Sequence, residues 1–351
     1  MNIRIVGAGL IGTSLALALK SAGESVEIDD IDHASRLLAT DLLGNPQLNT
    51  EPDIVIVATP VSSIFSAIQT EFERNPRSTF MDIGGLKSNL LLNVQKFPEL
   101  SKRFVSLHPM AGREISGPSS ARADLFESRA VLITPTSTTS ADSLERAHGI
   151  VNSIGATGYE IKASEHDRII SAISHMPQLV SSLLAASLVG LTSEDLAFSG
   201  GGLRDITRLA SSSAELWSDL FLENRTELLK SAQGLHGLLE NFITSLEQND
   251  RNSLLELMQR GNSGRALIPG KHGAKSRNYT FLPVVIDDRA GQLAKLFEEC
   301  ASANVNVEDL SIEHSPGQAT GLITLALSET DALKLKEHLV SAGWRVHSPL
   351  K

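Results

Sequence analysis

The stretch that most constrains this chain is GAGLIG, residues 7 to 12, which follows the apolar run IRIV and opens the helical pattern LIGTSLALALKSAG. Three glycines in G-x-G-x-x-G spacing are weak evidence by themselves. Set between a strand and a helix, they predict a phosphate-cradling turn. Gly7 permits the tight turn, Gly9 lets the backbone approach a pyrophosphate, and Gly12 allows close helix packing. Leu10 and Ile11 open the helix, where unpaired N–H groups face the same phosphates. The next apolar run ends in DDID, and Asp30 there is the candidate partner for the ribose hydroxyls, with Asp29 and Asp32 as alternatives. A carboxylate at that place repels a 2′-phosphate, so the cofactor is expected to be NAD and not NADP, a preference that Arg36 could soften. Thr59 and Pro60, after the run DIVIVA, are expected to line the nicotinamide side.

That fingerprint sits in a block, residues 1 to 160, where short β-branched runs alternate with helical patterns. IRIVGAG, SVEIDD, DIVIVAT, STFMDIG, RFVSLHP and AVLITP read as buried strands, which predicts a doubly wound α/β sheet of the Rossmann kind. Residues 161 to 260 show long helical patterns and no convincing strand, so an all-helical domain is expected. Residues 261 to 278, rich in Gly and basic side chains, read as a linker. From 279 to 351 the order is strand, helix, strand, strand, helix, strand, the βαββαβ pattern of a ferredoxin-like domain.

Bulk properties narrow the function. The 41 acidic against 31 basic residues give a net charge of −10, which argues against nucleic acid as a partner. An anionic substrate must then be drawn in by a local cluster of basic side chains. The single cysteine, Cys300, allows no intrachain disulfide and makes a cysteine-based metal site implausible; no metal is expected. No run of apolar residues looks long enough to span a membrane, and the first strand begins at once, leaving no room for a signal peptide. A cytoplasmic protein is the simplest expectation.

Two further patterns point to a pocket. Asp167, Ser171, Ser174, Gln178 and Ser182 recur at helical spacing, with His175 beside them, among Ile169, Ile170, Ile173, Met176, Leu179 and Leu183. A solvated face would carry Lys and Glu; small neutral hydrogen-bonding groups suit a ligand better. Beyond it, SGGGLRDITRLASSS leads three glycines into a helix with Arg204 and Arg208 one turn apart, a candidate carboxylate site. His108, in SLHPMAG, would by itself read as a structural histidine at a strand end.

Taken together, the blocks GAGLIGTSLA, DIGGLK, HPMAGREISGP, EHDRIISAISHMPQ, GGGLRDITRLASSSAELWSDLFLEN and DRAGQLAKLFEECASANVNVEDLSI resemble prephenate dehydrogenases that carry a C-terminal ACT domain. The resemblance implies an NAD-dependent oxidative decarboxylation of prephenate to 4-hydroxyphenylpyruvate in tyrosine biosynthesis. It implies that His108 is the base for the substrate hydroxyl, that Arg208 holds the ring carboxylate with Asp167 as its ionic partner, and that His166, His175, Arg204 and Lys87 lie in or near the pocket. There are two departures. Gly85 stands where relatives carry a serine that bonds the catalytic histidine, with Ser88 as a possible stand-in. Gln178 stands where relatives often carry a second histidine against the substrate side chain, which leaves prephenate and arogenate both open. The resemblance also implies tyrosine as an effector near Asp288, Gly291 and Asn304, and a homodimer. The rival readings are an arogenate dehydrogenase, a 3-hydroxyacid dehydrogenase with a catalytic lysine on its helical domain, and a non-catalytic nucleotide and amino-acid sensor.

Overall fold

The structure is a computed structural model that describes residues 1–45, 48, 50–112, 117–268, 279–313 and 319–349. It divides into two compact units, Met1–Asp250 and Arg251–Lys351.

The first unit is built on a seven-stranded sheet: β1 (Asn2–Val6), β2 (Ser25–Asp29), β3 (Ile54–Val57), β4 (Thr79–Asp82), β5 (Phe104–Pro109), β6 (Ala130–Pro135) and β7 (Thr157–Glu160), in the order β2-β1-β3-β4-β5-β6-β7. Helices α1 (Leu10–Ser21), α2 (His33–Leu42), α3 (Val61–Arg74), α4 (Ser88–Val94), α5 (Pro98–Lys102) and α6 (Ala141–Ser153) alternate with the strands. All four residues of β3, IVIV, are buried, as a strand covered on both faces requires. Strand order reverses beside β1, which opens a crevice at the carboxyl ends of β1 and β3, where an open α/β sheet binds its ligand.

Two features of the sheet were not expected from the sequence. β6 runs antiparallel to β5, because the described part of their connection holds a short 3₁₀ turn, Pro118–Ser120, in place of a crossover helix. β7 was not anticipated: its sequence, TGYE, forms a largely exposed edge and carries no apolar run.

The helical part of this unit runs from α7 (Ala163–Ile170) through a π-helical turn, Ser171–His175, into α8 (Met176–Ser187). Pro177 lies at the start of α8, and its missing N–H accounts for the widened turn before it. α9 (Ser193–Leu196), α10 (Gly201–Thr207), a 3₁₀ turn at Arg208–Ser211, α11 (Ala214–Glu223) and α12 (Arg225–Glu247) follow. The polar stripe is turned inward: Asp167, Ser171, His175, Gln178 and Ser181 are buried, while Ile173 and Leu183 are each 59% exposed. The wider turn shifts the helix phase, so His175 and Ser181 take the inward places expected for Ser174 and Ser182. One expectation is corrected here. The continuous helix Ala163–Ser187, of mean hydropathy 1.4, is long and apolar enough to cross a membrane by length and composition, yet its buried face is the polar one.

The second unit begins with α13 (Arg251–Ala266), so helix persists where a linker was expected from 261; residues 269–278 of that linker lie outside the described residues. β8 (Thr280–Asp287), α14 (Gln292–Ser302), β9 (Asp309–Glu313), β10 (Thr320–Leu327), α15 (Glu329–Ser341) and β11 (Arg345–Val346) form an antiparallel sheet in the order β11-β8-β10-β9. That is the ferredoxin-like βαββαβ topology. Its core joins Leu282, Val284, Ile323 and Leu325 of the sheet to Leu296, Cys300, Leu335 and Leu339 of the helices.

Candidate active site

The glycine turn is shaped for close approach. Gly7 has φ +115°, and a Cβ there would lie 2.5 Å from the Ala58 carbonyl oxygen; a Cβ on Gly12 would lie 2.0 Å from the Gly7 oxygen. Around Gly9 nothing lies within 4 Å of such a Cβ, so the turn faces open space. Helix α1 starts at Leu10 without a side-chain cap and without an acidic residue in its first turn, which leaves the N–H groups of Leu10, Ile11 and Gly12 and the positive end of the helix dipole for an anion. The three aspartates divide clearly. Asp29 pairs with Arg4 (2.8 Å) and Arg36 (3.4 Å), and Asp32 caps α2 through the Ser35 amide at 2.8 Å. Asp30 lies over the turn itself, accepting from the Ala8 amide at 2.6 Å and the Asp32 amide at 2.8 Å. At the end of β3 the Thr59 hydroxyl is buried with no hydrogen-bond partner, and Pro60 opens α3 beside it. An orphaned hydroxyl, an open glycine cradle and an uncapped helix fit a dinucleotide.

His108 stands at the end of β5, next to that crevice. Its Nδ1 lies 2.9 Å from His166 Nε2, and His166 Nδ1 lies 2.8 Å from Asp167 Oδ1. The two rings are tilted at 50° with centroids 5.1 Å apart. Asp167 is fixed by two backbone amides, Lys87 N to Oδ1 at 3.0 Å and Ser88 N to Oδ2 at 2.9 Å. These contacts set the tautomers. A carboxylate accepts only, so His166 carries its proton on Nδ1; His166 Nε2 then accepts, and His108 carries its proton on Nδ1. The free lone pair is on His108 Nε2, 3.8 Å from where a Cβ on Gly85 would stand.

Electrostatics keep this base neutral. Burial, then the Lys87 charge and the two neighbouring histidines, push His108 well below the ordinary histidine value, and only Asp167 opposes them. Burial also lowers His166, against the pull of Asp167. Burial works to raise Asp167, but hydrogen bonds from His166 and Ser88 outweigh it and hold the carboxyl below its usual range. His175, packed edge-on against Trp217 and Phe221, is pushed down to about 4 by burial.

Several expected substrate contacts have other duties. Lys87 is fully buried, and its ammonium donates to Asp82 Oδ2 (2.8 Å), the Gly84 carbonyl (2.7 Å) and the Leu107 carbonyl (2.7 Å). Its three N–H donors are spent, so it holds the β4 and β5 ends together and does not reach for a ligand. His166 has both nitrogens engaged and supports His108. Asp167 does not pair with Arg208, because its oxygens serve Lys87 N, Ser88 N and His166. Ser88 serves Asp167 and does not stand in for a serine at 85. Gln178 Nε2 donates to the Leu209 carbonyl at 2.9 Å and to Ser182 Oγ at 3.2 Å. Arg204 and Arg208 lie on an exposed segment of α10 and the turn after it.

Other residues were not singled out from sequence. Asp82, buried behind Lys87, also takes the Gly84 amide at 2.8 Å and the Ser106 hydroxyl. Asn224 donates to the Asp167 carbonyl at 2.9 Å and lies 3.3 Å from His175 Nδ1. The available signals were a lone Asp closing a buried strand and an Asn between two helices.

Comparison with known proteins supplies the last observation. The family model for the prephenate dehydrogenase nucleotide-binding domain matches residues 15–160, and that for the prephenate dehydrogenase dimerization domain matches residues 162–260. The probable prephenate dehydrogenase NovF of Streptomyces niveus is 30% identical over 98% of this chain and 99% of its own length. The prephenate dehydrogenase of Bacillus subtilis (strain 168) is 28% identical over 97% of this chain and 96% of its own length. Among solved structures, Aquifex aeolicus prephenate dehydrogenase in complex with hydroxyphenyl propionate and NAD+ is 27% identical with a TM-score of 0.69, covering 76% of this chain and 97% of that one. Synechocystis arogenate dehydrogenase is 26% identical with a TM-score of 0.64, covering 76% of this chain and 99% of that one.

Proposed function

The chain belongs to the prephenate dehydrogenase family, and on that premise we propose a division of labour among its residues. The enzyme is an NAD-dependent oxidoreductase that converts prephenate to 4-hydroxyphenylpyruvate with loss of CO2, a step of tyrosine biosynthesis. Bound NAD+ supplies the acceptor for the hydride that leaves C4 of the ring. The observation that carries our reading is the chain of hydrogen bonds from His108 through His166 to Asp167.

In this reading His108 Nε2 takes the proton of the substrate hydroxyl. His166 and Asp167 fix its tautomer and share the charge it acquires. Their help matters because a half-buried histidine next to Lys87 holds a full positive charge poorly. As CO2 leaves C1 and the ring becomes aromatic, the C4 oxygen regains a proton from the same imidazole, so base and acid are one residue. Gly7, Gly9, Leu10, Ile11, Gly12, Asp30, Thr59 and Pro60 hold the dinucleotide. Arg208 holds the ring carboxylate, with Arg204 beside it adding positive potential in a chain of net charge −10.

Large apolar side chains on the helices, among them Ile173, Leu183, Phe198 and Leu222, are exposed, and a second copy of the chain is the partner we propose for them. The ferredoxin-like fold of residues 279–351 is read as an ACT module, with tyrosine its effector. Support comes from the turn at Asp288 and Gly291, where Gly291 has φ +86°, and from Asn304 at φ +49° after α14. A cytoplasmic location suits this biosynthetic chemistry.

The test is NADH formation from NAD+ with prephenate and, separately, with arogenate, for the native enzyme and His108→Asn. The native enzyme is expected to turn over prephenate, and the variant to lose turnover while still binding NAD+. Unaffected turnover in the variant removes His108 as the base.

A further inference from the structure

Gln178 stands where a contact with the substrate side chain was expected, and its hydrogen-bond count speaks against that role. A glutamine amide has two N–H donors. Both are spent within the protein, one on the Leu209 carbonyl at 2.9 Å and one on Ser182 Oγ at 3.2 Å. The side chain of prephenate offers a keto oxygen and a carboxylate, which accept and do not donate. Gln178 has no N–H left to recognise them.

What it does hold is informative. Leu209 directly follows Arg208 in the 3₁₀ turn Arg208–Ser211. One helical turn along α8 from Gln178, Ser181 Oγ accepts from the Ala210 amide at 3.1 Å. Gln178 and Ser181 are themselves 3% and 2% exposed, whereas α10 and the 3₁₀ turn contain no buried residue. Two buried side chains on one rigid helix thus hold the C=O and the N–H of a single peptide group, Leu209–Ala210, just after Arg208. We propose that Gln178 and Ser181 are positioning residues that aim the Arg208 guanidinium. The inference rests on the reading that Arg208 holds the ring carboxylate, a group common to both substrates.

The consequence is specific. An interaction that steadies a clamp used equally in ground and transition states sets KM and leaves kcat alone. Gln178→Leu is expected to raise KM roughly tenfold for prephenate and arogenate alike, with kcat changed less than about threefold. Ser181→Ala is expected to act in the same direction by a smaller factor, and it covers the case in which Gln178→Leu fails to fold. In an Arg208→Ala background both substitutions are expected to lose their effect on KM, because the group they aim is gone. A merely structural role would persist in that background.

Steady-state kinetics of the full chain with both substrates, at saturating NAD+, read all of this. A tenfold change in the prephenate-to-arogenate ratio of kcat/KM in Gln178→Leu overturns the proposal, since Gln178 then reads the side chain. A KM effect undiminished in the Arg208→Ala background overturns it too, as does an unchanged KM in both single variants. If Arg208→Ala by itself leaves KM unchanged, the carboxylate reading fails first and takes the positioning role with it. If Arg208→Ala raises KM and neither α8 variant does, only the positioning role fails.

Discussion

The two sides of the proposed active site are built differently. The base side is packed into the carboxyl edge of the sheet, where the half-buried His108 and the buried His166, Asp167, Lys87 and Asp82 form a continuous set of hydrogen bonds. The carboxylate side is an exposed 3₁₀ turn held at its back by two side chains of α8. The difference follows from what each must do. A base needs one tautomer and one protonation state before substrate arrives, so its surroundings are prepaid in the fold. An arginine keeps its charge in any surroundings and needs only to be aimed.

The largest effect that sharpens this contrast is on the base. His108→Asn should lower kcat on the order of a thousandfold, the upper range for general acid–base catalysis, with NAD+ binding retained. In the native enzyme the acid limb of the kcat profile should fall below pH 6.5, the ordinary histidine value from which burial, Lys87, His166 and His175 lower His108 against Asp167. A limb above that value would mean the base side is less sealed than its hydrogen bonds indicate.

Next in size is the buried pair behind the base. Lys87→Met leaves the Asp82 carboxylate buried without its cation, and breaking such a pair costs about 3–5 kcal/mol. Urea unfolding of the first unit's transition checks this. A loss under about 1 kcal/mol would show that water enters the site and that the base side is as open as the Arg208 turn.

The overall architecture was largely legible in the sequence because it is written in periodicities: runs of β-branched residues for β1 to β6, glycines where a Cβ would collide, the βαββαβ alternation after residue 279. β7 was illegible because an exposed edge strand such as TGYE needs no apolar run. In the proposed site, His108 and Arg208 were visible as types in a pattern. What each polar atom is spent on was not. Lys87 is a pocket cation in the one-dimensional reading and a fully committed strut in three dimensions, because its three acceptors come from Asp82, Gly84 and Leu107. Gln178, His166 and Asp167 changed role for the same reason: saturation of donors and acceptors depends on neighbours that sequence spacing does not place.

A smaller effect comes from His175. Its folded-state value of about 4 lies below the ordinary 6.5, so the folded protein resists a proton that the unfolded chain accepts. Stability from this residue is complete above pH 6.5 and is lost as pH falls toward 4, by about 2 kcal/mol at pH 5. His108 and His166, lowered in the same direction, steepen the slope. Denaturant unfolding at pH 7 and pH 5 should show the loss, and His175→Leu should flatten the difference between them. A slope unchanged in the variant would move the pH dependence away from the base side.

The smallest effect tests whether the base side is complete. A Cβ on Gly85 would meet Leu220 Cδ2 at 3.7 Å and His108 Nε2 at 3.8 Å, ordinary contact distances, so Gly85→Ser should fold with stability within about 0.5 kcal/mol of native. Its hydroxyl would reach the Nε2 lone pair. A donor to that lone pair favours the neutral ring, which makes His108 a weaker base and moves the acid limb lower still. We expect kcat to fall by a factor of about two to five, on the scale of one ordinary hydrogen bond, with KM for prephenate nearly unchanged. A rise in kcat would mean the opposite: that the gap over Gly85 leaves the substrate hydroxyl loosely held, and that the hydroxyl supplies a contact the native enzyme lacks. The base side would then be the under-built half, and the exposed arginine turn, with its two anchors in α8, the half that sets how well prephenate is presented to His108.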